Sequence, residues 1–131
     1  METHFILYRS RTRLDPRGPD CADILTEARA RNAVLGLTGR LHLEDGLFYQ
    51  WLEGPADHLE RVCGKIARDM RHRDMEILWR GTQPQRQFRG WAMGFGTSDP
   101  GTLFSWVAQN GVAVTDSAAF ARAVLDFLHA A

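Results

Sequence analysis

The sequence predicts one α+β domain, a five-stranded mixed sheet in the order βαββαββ followed by helices. Three observations carry the prediction. Leu47-Phe48-Tyr49-Gln50-Trp51-Leu52-Glu53-Gly54 is rich in aromatic and branched residues, follows an Asp45-Gly46 hairpin turn and stops at Gly54-Pro55. Four further strand-like runs flank it, and two stretches with apolar residues at helical spacing lie between them. With 131 residues, 44% of them hydrophobic and 24% charged, the chain suits a single core.

The first strand is His4 to Arg9, with Ile6 and Tyr8 on one face and Phe5 and Leu7 on the other. Residues 10–19 form a loop punctuated by two prolines and a glycine. Asp20 serves as N-cap of a helix to about Asn32, whose inward stripe is Cys21, Ile24 or Leu25, Ala28 and Asn32. After Gly36, Leu37 to Glu44 forms a second strand with Leu37, Leu41 and Leu43 on one side. The organising strand then sends Phe48, Gln50 and Leu52 to one face and Leu47, Tyr49 and Trp51 to the other, so it is covered on both sides.

Pro55 opens a second helix predicted to reach His72, with Leu59, Val62 or Cys63, Ile66 and Met70 as its apolar stripe. Lys65, Asp69 and His72 run beside that stripe at helical spacing. Met75 to Gln83 alternates Met75, Ile77 and Trp79 against Glu76, Leu78 and Arg80, a fourth strand. Trp91 to Phe95 is a fifth, with Trp91, Met93 and Phe95 sharing a face. Phe104, Trp106 and Val107 mark a short helix, and residues 116–130 a longer one with Phe120, Val124, Phe127 and Leu128 inward.

This order contains the split βαβ, ferredoxin-like arrangement, in which the first and third strands are neighbours and right-handed crossovers place both early helices on one face. The C-terminal helices are then free to cover the other face, dividing the chain into a core of residues 1–96 and a helical cap of residues 97–131. The 16 basic and 16 acidic residues balance, so bulk charge demands neither nucleic acid nor an anionic membrane. Apolar runs fall short of a bilayer span and Met1-Glu2-Thr3 lacks the features of a signal peptide, which makes a cytoplasmic location the expectation. Cys21 and Cys63 lie apart among apolar neighbours and read as buried free thiols, and no metal-spaced cluster is present.

Gln50 is the outlier on its strand. An amide between Phe48 and Leu52 must find partners or cost about 1–3 kcal/mol. Neighbouring strands bring Tyr8 to within about 5 Å of it at Cβ, close enough for phenol and amide to bond. Asn32 from the first helix and Lys65, Asp69 and His72 from the second complete a polar slot whose apolar walls are Ile24, Leu25, Ala28, Leu52 and Ile66. Such a slot suits a planar heterocycle with an N–H and carbonyls: Asp69 accepts, Asn32 does both, and Arg71 or His72 donates. The same residues also allow a plainer arrangement. Asn32 could end its helix, Asp69, Arg71 and His72 could be a solvated terminus, and Tyr8 and Gln50 could satisfy each other in the core.

Seven separated segments go further. Leu7-Tyr8-Arg9-Ser10, Ala28-Arg29 with Asn32, Leu35-Gly36-Leu37-Thr38-Gly39, Gly46 with Phe48 and Gln50, Leu52-Glu53-Gly54, Asp69-Met70-Arg71-His72, and Phe88 with Trp91 and Met93 resemble, in order and spacing over residues 4–95, the BLUF family of blue-light sensors that use FAD. The resemblance implies a flavin ligand, FAD with FMN as the other possibility, and no enzymatic role. It implies that Tyr8 gives an electron and a proton to the photoexcited flavin and that Gln50 bridges its hydroxyl to the ring. Asn32 would hold the C4-carbonyl side, with Asp69, Arg71 and His72 around the pyrimidine end and Arg31 and Lys65 toward the ring or phosphates. Trp91 and Met93 would carry the signal out. The chain looks like a short member without an effector, so a separate protein partner or a change in self-association, such as a dimer, would receive the signal. Two rivals stay open: a ferredoxin-like catalyst handling flavin or acyl phosphate, and a ligand-free interaction module.

Overall fold

A computed structural model describes residues 2–90, 92–97, 102–109 and 117–130, with the side chains of Thr97, Phe104 and Ser117 not described. The elements are β1 (Thr3–Arg11), α1 (Pro19–Leu35), β2 (Thr38–Glu44), β3 (Leu47–Gly54), α2 (Ala56–Ala67), β4 (Arg73–Gln83), β5 (Gly94–Thr97), α3 (Thr102–Gln109) and α4 (Ser117–Ala130). The sheet order is β4-β1-β3-β2-β5, the ferredoxin-like core with β5 added in parallel beside β2. β1 and β3 are central and antiparallel, and Tyr8 stands opposite Gln50 as the topology requires. Asp45 and Gly46 both take positive φ, 52° and 71°, the two-residue turn that matches the twist of a hairpin.

The two faces of the sheet carry separate cores. On one, Ile6, Leu41, Leu43, Phe48 and Leu52 meet Cys21, Leu25 and Ala28 of α1 and Leu59 and Val62 of α2. On the other, Phe5, Leu7, Tyr49 and Trp51 are covered by α3 and α4 through Leu103, Val107, Val124, Phe127 and Leu128. Phe5 stacks on Trp51 with ring centroids 4.4 Å apart, and Trp79 meets both edge-on.

Several boundaries differ from the expectation, and four of them bear on the site. Gly18, not Asp20, is the N-cap of α1, because Pro19 with its fixed φ fills the first helical position and moves Asp20 into the first turn. Pro55 likewise caps α2 rather than beginning it. α2 ends at Ala67 rather than His72. Asp69 accepts the N–H of Arg71 two residues on at 2.9 Å, an Asx turn that competes with the helix, and the Ile66 carbonyl is taken by the Asp69 N–H and the His72 ring. Met70 consequently leaves the apolar stripe and is 97% exposed. β5 starts at Gly94, later than Trp91, which lies outside the described residues.

β4 also departs from simple alternation. Leu7 pairs with Trp79 but Tyr8 with Ile77, so Leu78 is an extra residue on the outer strand. Leu78 and Trp79 therefore both pack on the α4 face, and Ile77 is left exposed. Cys21 is buried and Cys63 half-buried, both free.

Beneath β2 sits a polar group that the alternation of leucines did not announce. His42 is fully buried, its Nε2 3.2 Å from Glu44 Oε1 and its ring edge-on to Phe127 at 4.9 Å. Glu44 in turn accepts the Leu103 N–H in the first turn of α3 at 2.9 Å, an anion at a helix start. Burial lowers the His42 pKa below its ordinary value, with Glu44 opposing and Arg40 reinforcing the shift. His42 thus resists protonation when folded but not when unfolded, so stability should fall as pH drops below about 6.5. Urea unfolding at pH 7.5 and 5.5 should show wild type losing more stability than His42→Gln. An equal loss in both would show that His42 is not the group responsible.

Candidate functional site

Tyr8 and Gln50 stand on the α1/α2 face of the two central strands, both buried, and the Tyr8 hydroxyl donates to Gln50 Oε1. Burial, followed by the nearby Cys63 and Asp69, pushes the phenol pKa up, so Tyr8 is a neutral donor at any physiological pH. The other end of the amide is also engaged. Gln50 Nε2 lies 3.6 Å from Met93 Sδ, just before β5. One side chain therefore joins the central tyrosine to the segment entering the edge strand.

Above this pair, a cleft opens between α1 and α2. Tyr8, Gln50, Phe48 and Leu41 floor it, Ile24, Ala28 and Arg31 form the α1 wall, and Ile66, Asp69 and His72 the other. Glu27 and Arg71 close one end: Arg71 Nη2 reaches Glu27 Oε2 at 2.8 Å and Asp69 Oδ2 at 2.6 Å. The Arg71 hydrogen bonds draw the Asp69 pKa below the ordinary carboxylate value, and Asp69 and Glu27 raise that of Arg71. The pair thus stays charged at neutral pH.

The expected site residues divide into two sets. Tyr8, Gln50, Ile24, Arg31, Ile66, Asp69, Arg71 and His72 come together around the cleft, although Asp69 and His72 do so from the turn after α2 rather than from the helix. Lys65, Leu25 and Leu52 do not line it; Leu25 and Leu52 belong to the core beneath. Asn32 does not line it either. Its Nδ2 donates to the Ala92 carbonyl at 2.8 Å and its Oδ1 accepts from Arg31 Nε at 3.2 Å, tying α1 to the approach to β5. Arg29 repeats the tie, with Nε donating to the Met93 carbonyl at 3.0 Å.

Three lining residues were not anticipated. Leu41 and Phe48 share the face of Gln50 by strand alternation, which could have found them. Glu27, on the Ile24 and Ala28 side of α1, carried no signal beyond helical spacing.

The donors and acceptors left over suit a flat ring bearing an N–H and carbonyls. His72 Nε2 donates to the Ile66 carbonyl, which leaves its buried Nδ1 without a partner among the described residues. The terminal nitrogens of Arg31 likewise have no partner among the described residues, while Arg31 is half-buried and desolvation lowers its pKa. One Gln50 N–H and one Arg71 N–H are also uncommitted by the bonds described, and apolar walls flank them all. No group of three or more metal-ligating side chains occurs among the described residues.

Comparison with known proteins agrees with this geometry. The family model for BLUF, sensors of blue-light using FAD, matches residues 4–94. The chain is 45% identical over 56 residues to the photoactivated adenylate cyclase subunit beta of Euglena longa, covering 43% of this chain and 6% of that protein. It is 30% identical over 83 residues to the blue light- and temperature-regulated antirepressor BluF of Escherichia coli strain K12, covering 63% and 21%. This chain thus spans only a small part of both relatives. Among solved structures, the photo-activated state of BlsA superposes with TM-score 0.77 at 26% identity over 95% of both chains. The dark state of the BLUF protein BlrB does so with TM-score 0.75 at 27% identity, over 97% of this chain and 98% of that one. The match over most of the chain, in sequence and in shape, shows that it belongs to the BLUF family of flavin-dependent blue-light sensors.

Proposed function

We propose that this chain senses blue light through FAD held in the α1/α2 cleft, and that Tyr8, Gln50 and Met93 convert absorption into a change at β5. The observation that carries the reading is the continuous chain from the Tyr8 hydroxyl through the Gln50 amide to the Met93 sulfur. When bound, the flavin supplies an excited state able to take an electron from a neighbouring phenol. Arg31, Asp69, Arg71 and His72 would hold its polar edges, with Ile24 and Ile66 against its faces.

Loss of an electron makes the Tyr8 hydroxyl strongly acidic, and its hydrogen bond directs the proton to Gln50 Oε1. With the proton back on Tyr8, the Gln50 amide would hold its second hydrogen-bonding pose, rotated or tautomerised. Its donor then faces the cleft, and the contact with Met93 Sδ is lost. The change needs no covalent bond to the protein. Released from Gln50, Met93 shifts against the Asn32 and Arg29 ties, and β5 moves relative to β2. Residues 1–96 form the sensor in this reading. Residues 97–131 form the cap that passes the change to a separate protein or a second copy, with Trp91 as the other relay residue.

Absorption spectra test it. The purified protein should be yellow, and blue light should shift its flavin bands to the red, reversibly in the dark. A colourless protein that cannot be reconstituted with flavin, or a flavin-loaded one with no shift, would refute the reading.

A further inference from the structure

Between β2 and the helical cap lie three polar side chains that the light-driven steps at the cleft leave unused. Arg40, His42 and Glu44 alternate along β2 with Leu41 and Leu43, so they take the α3/α4 face while the two leucines pack toward α1 and α2. All three are buried. Polar groups under a dry layer are costly unless hydrogen bonds hold them in place, so what holds these matters.

His42 and Glu44 together touch β5, α3 and α4. On the sheet side, His42 stands opposite Gly96 of β5 in the parallel ladder. A Cβ on Gly96 would lie 3.5 Å from His42 Nδ1 and 2.7 Å from Arg40 Nη2, so the imidazole and the guanidinium fill the space that a β5 side chain would take. They rest directly on the backbone of the strand that follows Met93. On the cap side, His42 Nε2 lies 3.2 Å from Glu44 Oε1, and Glu44 accepts the Leu103 N–H through both oxygens, at 3.1 and 2.9 Å, in the first turn of α3. The His42 ring also meets Phe127 of α4 edge-on, and Phe127 meets Trp106 of α3 at 5.9 Å. A carboxylate can only accept, so Nε2 carries the ring proton; the buried Nδ1 is then an acceptor with no partner among the described residues. The imidazole is thus held by one hydrogen bond on the cap side and by packing alone on the β5 side, and its position follows the β5 backbone.

We propose that His42 and Glu44 form a latch between β5 and α3: with β5 in its dark position His42 holds the Glu44 carboxylate on the Leu103 N–H, and displacement of β5 releases it and loosens the first turn of α3. The proposal rests on the flavin reading above, which supplies the displacement. Both are positioning residues. Neither reaches the cleft, which Leu41 of the same strand floors from the other face.

Hydrogen exchange of the flavin-loaded protein, followed in the dark and under blue light, tests the latch. Illumination should speed exchange at the Leu103 amide about threefold or more in wild type, as the loss of one hydrogen bond would. His42→Leu should keep the full red shift and lose most of the light-induced change in exchange, a difference that a residue serving stability alone would not alter. Glu44→Gln, with a neutral acceptor in place of a charged one, should raise exchange at Leu103 already in the dark. Gly96→Ala must displace Arg40 or His42, and should give the amide in the dark the faster exchange of illuminated wild type. Equal exchange in dark and light in wild type that shifts to the red, or an undiminished light-induced change in His42→Leu, would overturn the latch and leave the flavin reading standing. Exchange of Gly96→Ala at the wild-type dark rate would do the same. Failure of wild type to shift to the red would remove the flavin reading and the latch with it.

Discussion

Gln50→Leu is expected to keep the yellow colour and lose the red shift entirely. Leucine matches the amide in size, and Phe48 and Leu41 beside it are apolar, so the floor of the cleft stays filled. The two contacts that the amide makes cannot be replaced. The Tyr8 hydroxyl would have no acceptor and Met93 Sδ no donor. Leaving the buried phenol unpaired costs about 1–3 kcal/mol of stability, which a folded domain of this size can bear. Tyr8→Phe should abolish the shift as well, because it removes the proposed electron and proton donor while leaving Gln50 in place. The two variants separate the roles. If Tyr8 is the electron donor, Tyr8→Phe should raise the flavin fluorescence by removing the quencher, whereas Gln50→Leu keeps the quencher but cannot form a rearranged amide. Difference spectra and fluorescence yield check both. A full photocycle in either variant would mean that the hydrogen bond between positions 8 and 50 is architecture alone.

The centre of the fold was legible because strand alternation and topology act together there. Placing β1 beside β3 puts Tyr8 opposite Gln50, and alternation fixes which face each presents. The same alternation explains why the two cores separate so cleanly between α1/α2 and α3/α4. What failed was local. Lys65, Asp69 and His72 at helical spacing look like a helix edge, but Asp69 has a short side chain that captures the Arg71 N–H and ends α2 five residues early. β4 keeps perfect alternation in sequence, and nothing in it reveals that Leu78 is an inserted residue. That bulge follows from pairing with β1 beside Tyr8. Asn32 was recognisable as an inward amide. Its partner was not, because Ala92 offers a backbone carbonyl and no side-chain signal. The buried group of Arg40, His42 and Glu44 was hidden for the opposite reason: polar residues alternating with leucines describe a wet face, and only α3 and α4 make it dry.

Glu53 should be a costly buried charge to remove, and its loss should reach the photoresponse. Its side chain is buried on the α4 face of β3 and accepts four hydrogen bonds. Thr38 Oγ1 and the Phe88 N–H give to Oε2 at 2.8 Å each, and Trp51 Nε1 and the Gln87 N–H give to Oε1 at 2.9 and 2.7 Å. Two of the donors are backbone groups of the segment that leads from β4 to Met93. Glu53→Ala would strand all four and should cost about 3–5 kcal/mol in urea unfolding, the range for removing one member of a buried charged network. Glu53→Gln keeps the shape but replaces one acceptor oxygen with a donor, so two of the four bonds meet a donor instead. It should recover only part of the loss. The spectroscopic consequence separates this from plain destabilisation. Gln50 and Glu53 lie on opposite faces of β3, so the cleft can remain intact while residues 87–93 lose their anchor and Met93 drifts from Gln50 Nε2. Folded, flavin-loaded Glu53→Gln should therefore still shift to the red under blue light but recover in the dark at a rate several-fold different from wild type. An unchanged recovery rate would show that the anchor serves stability and does not set the position of Met93.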